Sequence, residues 1–141
     1  MSALPDALRL QVVSAERSLV NETVDEVILP GADGYFGVLP GHAPLLALLD
    51  VGELTYRKGQ EVSPLVLAFG FAEVLPDRVT VLAQTAERPA DIDVARAEAA
   101  KKRAEARLAG AASDIDAERA RISLLKSLIR LQVASRARIR S

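Results

Sequence analysis

The feature that most constrains this chain is a break in its punctuation at residue 88. Six of the seven prolines and seven of the eight glycines lie before that point, and only Pro89 and Gly110 come after it. Proline and glycine end helices and make turns, so the first part can only be a series of short elements, whereas the second is free to form long helices. Charge divides at the same place. Residues 1–88 hold 6 Lys+Arg against 12 Asp+Glu, and residues 89–141 hold 12 against 7, in a chain whose net charge is −1. Two modules are expected, 1–88 and 89–141, with different partners or with each other as partner.

In the first module Leu8, Leu10 and Val12 alternate with Arg9 and Gln11, the period of a half-buried strand. Thr23 to Leu29, Gly52 to Arg57, Leu65 to Phe69, Phe71 to Leu75 and Val79 to Ala83 read as further strands. Pro30-Gly31, Asp33-Gly34, Pro40-Gly41, Lys58-Gly59 and Pro76-Asp77 mark turns between them. This spacing predicts an antiparallel sandwich or barrel. The period of Pro44 to Asp50 does not decide between strand and buried turn.

The second module predicts two helices. Asp91 to Ala109 consists almost wholly of strong helix formers, with Pro89 before its start and Gly110 after its end. A second helix opens near Ser113, where Ser113-Asp114-Ile115-Asp116 fits a capping box. Acidic residues crowd its start (Asp114, Asp116, Glu118) and basic residues its end (Arg136, Arg138, Arg140), complementing the helix dipole. The short linker Gly110 to Ala112 makes the pair antiparallel. The seam between them is lean, with Ala95, Ala99 and Ala106 expected on the first helix's inner face. A buried methyl is worth about 0.8 kcal/mol, against roughly 1–2 kcal/mol of backbone entropy for each ordered residue. The expectation is a mobile hairpin.

Composition removes most catalytic chemistry. The absence of cysteine excludes a disulfide framework, a thiol nucleophile and a cysteine-ligated metal, and a single histidine, His42, argues against a histidine metal site. His42 sits in a rigid Pro40-Gly41-His42-Ala43-Pro44 turn, where a structural hydrogen bond is a better reading than a general base. No phosphate-loop motif is present, and the glycines of Gly31 to Gly41 serve turns. The longest uncharged run, Gly34 to Leu49, is too short and too broken to span a bilayer, and Met1 to Leu10 carries no secretory signal. A soluble cytosolic chain is expected, with attachment to a membrane-bound partner left open.

Two constellations remain. Arg119, Arg121, Lys126, Arg130, Arg136, Arg138 and Arg140 form a basic tail. It reads as a solvated face, as an arm seeking an acidic protein surface, or as a nucleic-acid contact. The last is disfavoured because residues 72–141 contain no aromatic side chain to stack on bases. At the start of the first helix, Asp93 and Arg96 share a face within reach of Glu87, and a neighbouring helix can add Lys126 and Arg130. Arginines grip phosphates bidentately and an acid accepts from ribose or base donors, so this group can hold a nucleotide. On spacing alone, an intrahelical ion pair worth about 0.3–0.5 kcal/mol is the stronger reading.

Val12-Val13-Ser14-Ala15-Glu16, Gly37-Val38-Leu39-Pro40-Gly41-His42-Ala43-Pro44-Leu45, Gly70-Phe71-Ala72-Glu73-Val74, Val79-Thr80-Val81-Leu82-Ala83 and the Ile-Asp-x-x-Arg-Ala signature within Glu87 to Ala97 occur in this order. Together they resemble the epsilon subunit family of rotary F-type ATP synthases. The resemblance implies an N-terminal antiparallel β-sandwich (1–88) that binds the gamma subunit and the c-ring, followed by a C-terminal antiparallel two-helix hairpin (89–141). It implies a non-catalytic rotor subunit of a proton-translocating synthase, peripheral on the cytoplasmic face of the cell membrane. No cofactor is required and no nucleic acid is bound. The hairpin, extended toward the alpha and beta catalytic subunits, would inhibit ATP hydrolysis through Arg119, Arg121, Lys126 and Arg130.

By the same resemblance, the c-ring- and gamma-facing loop falls on Gly31 to His42, with Asp33, Tyr35, Pro40, Gly41 and His42. Tyr35 stands where some relatives carry an acid. A regulatory ATP site maps onto Glu87, Ile92, Asp93, Arg96, Ala97, Lys126 and Arg130. Lysine replaces the expected arginine at 126, which removes a bidentate contact and implies weaker binding. The rival reading is a free-standing ATP-sensing module in which the nucleotide closes the hairpin.

Overall fold

The computed structural model describes residues 4–140, with side chains as far as residue 137. Arg138 and Arg140, expected to complement the dipole of the last helix, therefore have side chains outside the described residues. The chain divides into two compact units, one ending at Arg88 and one beginning at Pro89.

The first unit is a seven-stranded sheet: β1 (Leu8–Ser14), β2 (Ser18–Val24), β3 (Glu26–Gly31), β4 (Gly34–Val38), β5 (Leu45–Lys58), β6 (Glu61–Leu75) and β7 (Arg78–Glu87). The strand order is β2-β1-β7-β6-β5-β3-β4. All pairings are antiparallel except β1 with β7, which is parallel. The sheet folds over so that β2 also meets β5, giving a β-sandwich. Leu8, Leu10 and Val12 are fully buried, as their alternation predicts. They pack in one core with Leu29, Leu54, Leu65, Leu67, Val74, Val79 and Val81.

Tertiary pairing redraws several strand boundaries. Thr23 to Leu29 is not one strand: Asp25 separates β2 from β3, and its backbone N–H is taken by the Arg57 carbonyl at 2.8 Å. Leu45 to Asp50 joins Gly52 to Arg57 in β5, with Pro44 left outside it, and the two runs on either side of Gly70 join in β6. Their ladder keeps one register from Leu49–Gly70 to Val51–Ala68 and skips only Asp50 and Phe69 between them. Phe69 has φ +61° and Gly70 has φ +144°. A Cβ on Gly70 would lie 2.2 Å from the Leu82 carbonyl oxygen, so only glycine lets β6 approach β7 this closely.

The second unit opens with a 3₁₀ turn (Pro89–Asp91), followed by α1 (Val94–Ala109) and α2 (Asp114–Arg140). Both helix starts are capped, the second by the serine that the sequence predicts. The Asp93 carboxylate accepts from the Arg96 backbone N–H at 3.0 Å, and the Ser113 hydroxyl from that of Asp116 at 3.2 Å. The helices pack against each other, but not through the expected alanines. Ala95, Ala99 and Ala106 are exposed, whereas Ala97 and Ala104 are buried. On α2 the buried residues include Ala120, Ser127 and Ala134, so both helices bury a small residue every seventh position. Folding back about Gly110 to Ser113 sets Ala97 level with Ser127 and Ala104 level with Ala120. Small residues at these levels let the backbones come close while little apolar area leaves water.

Candidate functional site

The residues expected from the sequence to hold a nucleotide divide between the two units. Glu87 ends β7 in the sheet unit; the other six belong to the helical unit. There, the Ile92 backbone N–H closes the 3₁₀ turn on the Pro89 carbonyl at 3.2 Å, and Asp93 follows as the cap of α1. The Asp93 carboxylate thus meets the Arg96 backbone N–H, and Arg96 is exposed. Ala97, at 3% exposure, is part of the small-residue seam.

Lys126 and Arg130 are one turn apart on α2 and half-buried. They flank Ser127, whose hydroxyl donates back to the Ser123 carbonyl at 2.9 Å. The antiparallel fold-back brings this turn level with the start of α1. Asp93 and Arg96 lie at the start of α1, and Lys126 and Arg130 near the middle of α2. The depression between the helices, of about 520 Å³, lies beside the turn that joins them and is lined by Arg107, Asp116, Arg119 and small residues. Its lining includes none of the residues expected to hold a nucleotide. Arg119 is exposed at its rim, and Arg121 pairs with Glu118 one turn back on the same helix.

The stretch expected as one loop, Gly31 to His42, contains a strand. Pairing with β3 draws Gly34–Val38 into β4, so Asp33 and Tyr35 lie at one end of that strand and Pro40, Gly41 and His42 beyond the other. Asp33 is exposed in the β3–β4 turn. The Tyr35 hydroxyl accepts from the Glu53 backbone N–H at 3.0 Å. The Gly41 N–H donates to the Pro76 carbonyl at 2.8 Å, bracing the β4–β5 turn against the β6–β7 turn. The His42 ring engages the neighbouring Ala43 carbonyl through Nδ1 at 2.7 Å, a local bond that holds the imidazole within its own turn.

One surface was not singled out from the sequence. Leu48, Phe71 and Leu82 stand directly opposite one another on β5, β6 and β7. They are 59%, 51% and 55% exposed. They line a depression of about 710 Å³ with Val13, Phe69 and Ala83. The signal available in the sequence was Phe69-Gly70-Phe71, in which two phenylalanines two residues apart on a strand share a face. Among the described residues, no helix is long and apolar enough to cross a membrane.

Comparison with known proteins accounts for both units. Residues 7–89 match the model of the ATP synthase delta/epsilon chain β-sandwich domain, and residues 90–135 match that of the long α-helix domain of the same chain. An ATP synthase epsilon chain from Syntrophobacter fumaroxidans is 45% identical over 133 residues, covering 94% of this chain and 99% of that one. One from Koribacter versatilis is 50% identical over 105 residues, 74% of each chain. Among solved structures, a chain of the Euglena gracilis mitochondrial ATP synthase OSCP/F1/c-ring assembly superposes with a TM-score of 0.80 at 21% identity, over 98% of this chain and 84% of that one. A chain of the Tetrahymena thermophila mitochondrial ATP synthase central stalk and c-ring gives a TM-score of 0.56 at 12% identity, over 96% of this chain and 98% of that one. The structures share the fold, the curated relatives share nearly half the residues, and both family models fit end to end: the chain belongs to the delta/epsilon chain family of ATP synthases.

Proposed function

We infer that this chain works as a non-catalytic rotor subunit that joins the gamma subunit and the c-ring of a proton-translocating synthase to its catalytic head. The observation that carries this reading is the exposed row Leu48, Phe71 and Leu82 on adjacent strands. A continuous apolar face of this kind is costly on a free monomer and is normally covered in an assembly. Gamma is the partner assigned to it, and the turns around Asp33 and Pro40 to His42 are assigned to the c-ring. The complex, peripheral on the cytoplasmic face of the membrane, carries the chain there.

Regulation is assigned to the helical unit. Its small-residue seam buries little, so a modest ligand or contact can shift it between packed and extended states. In the extended state Arg119, Arg121, Lys126 and Arg130 meet the acidic surface of the catalytic alpha and beta subunits and stop hydrolysis. Such steering weakens with salt. An antiparallel fold-back about Gly110 to Ser113, which sets Lys126 and Arg130 level with the first turns of α1, supports an ATP site that holds the packed state.

Reconstitution with the other subunits tests the first reading: Phe71→Asp should prevent co-purification with gamma, and normal co-purification would overturn it. Deletion of residues 89–141 should raise ATP hydrolysis by the complex; unchanged rates under all conditions would end the inhibitory assignment. Calorimetric titration with ATP tests the site. Binding that disappears in Arg96→Ala supports it, and absence of binding at several millimolar leaves Asp93 as a helix cap alone.

A further inference from the structure

A single side chain ties the end of β7 to the edge strand β2. The guanidinium of Arg88 donates from Nε to the Leu19 carbonyl at 3.1 Å, and its Nη2 donates to the same oxygen. Leu19 is the residue that the β1–β2 ladder leaves out, since Val12 faces Val20 and Val13 already faces Ser18. A bulged residue loses its regular ladder bonds, and a charged fork is a strong donor for a carbonyl so displaced. The Leu19 side chain meanwhile is buried in the core, which holds the acceptor in place.

The position of Arg88 gives this contact a further consequence. β7 pairs with β6 as far as Glu87, opposite Val66. Pro89 has no N–H and cannot extend the ladder. From Pro89 the chain belongs to the other unit: the 3₁₀ turn packs against α2, and Asp93 caps α1. One residue before the junction is therefore bound to the sheet, and the residues immediately after it are bound to the helices.

We propose that Arg88 is a clasp that locks the end of β7 to β2, so that displacement of the helical unit pivots at the Arg88–Pro89 junction and is not passed into the sheet. The proposal rests on the reading that the helical unit moves. Arg88 acts here as a positioning residue. Its charge also reaches Tyr56, where it opposes the upward push that burial exerts on that phenol.

Hydrogen exchange on the full chain tests the clasp, comparing the natural protein with Arg88→Ala and Arg88→Lys. In Arg88→Ala the amides of residues 18–20 and 85–87 should exchange about tenfold faster, with the rest of the sheet unchanged. Arg88→Lys, which keeps the charge without the fork, should recover only part of that protection. The Tyr56 phenol should titrate higher in Arg88→Ala than in Arg88→Lys. Unchanged exchange at both segments, or a uniform rise across the whole sheet, would overturn the proposal. Exchange of α1 and α2 amides in the same experiment reports on mobility of the helical unit separately, so failure of that reading is distinguished from failure of the clasp.

Discussion

The hydroxyl of Tyr35 accepts a hydrogen bond from the backbone N–H of Glu53 at 3.0 Å, tying β4 to β5 across the intervening β3. The bond falls where the β3–β5 ladder slips between Ile28 and Gly31, a gap that includes Pro30. Gly52 makes room for it, because a Cβ there would lie 2.5 Å from both the Tyr35 hydroxyl and the Pro30 side chain. Tyr35→Phe should leave the Glu53 N–H without this acceptor and cost about 1–3 kcal/mol. Urea unfolding should show a lower midpoint with an unchanged slope. An unchanged midpoint would mean that the bond adds nothing. Tyr35 is thus a structural residue of the sheet, whatever contact its exposed ring makes in an assembly.

Gly70→Ala should be among the most damaging single-methyl additions to the sheet unit. The added methyl would meet the Leu82 carbonyl oxygen at 2.2 Å on a backbone with φ +144°. Two penalties coincide, a steric clash with backbone and a conformation that L-residues avoid, and together they should exceed about 3 kcal/mol. The check is thermal unfolding beside Gly59→Ala, whose Cβ meets nothing within 4 Å although its φ is also positive at +63°. Equal losses in the two variants would show that φ alone sets the cost.

The small-residue seam predicts which helix substitutions are tolerated. Ala104→Leu adds bulk at a buried position of α1 and should destabilise the helical unit by about 1–3 kcal/mol. Ala106→Leu, on the exposed face, should be nearly neutral. Amide exchange within α1 and α2 separates the two, and equal behaviour would refute the seam.

Asp93→Ala removes the cap of α1 and should cost about 1 kcal/mol of helix stability. Arg96→Ala should leave the cap intact, since the donor is the backbone N–H of residue 96. Helix content by circular dichroism during thermal melting tests this difference, which also makes Arg96→Ala the cleaner control for ATP binding.

Tyr56 gives the sheet unit a dependence on alkaline pH. Burial pushes its phenol above the ordinary value of 10.0, with the Glu22 carboxylate adding to the rise, while a hydrogen bond with Ser63 and the Arg88 charge oppose it. Because the folded value is raised, the contribution to stability is full below the unfolded value. It is lost as pH climbs from about 10 through the folded value, where the unfolded chain releases its proton first. In Tyr35→Phe the only remaining phenol is Tyr56, and its ultraviolet titration should have a midpoint above that of the urea-unfolded chain. Coincident midpoints would remove the effect.

Local chemistry alone determined the module boundary at residue 88, the caps at Asp93 and Ser113, the inward set Leu8, Leu10 and Val12, and the pairing of the two helices. Each depends on residues a few positions apart, where backbone preference and side-chain hydrogen bonding act without help. What only the tertiary structure decided was pairing between distant residues. Glycine-rich Gly34–Val38 became a strand because β3 lies beside it, and the long β5 and β6 persist past the unpaired Asp50 and Phe69 because each supports the other. The seam passed to Ala97 and Ala104 for a related reason. In a helix with alanine at nearly every other turn position, the residues do not distinguish one face from another; the partner's own small residues, Ala120 and Ser127, select which face is buried. Exposure of Leu48, Phe71 and Leu82 follows from register, which places three large side chains in line on the side of the sheet away from its core.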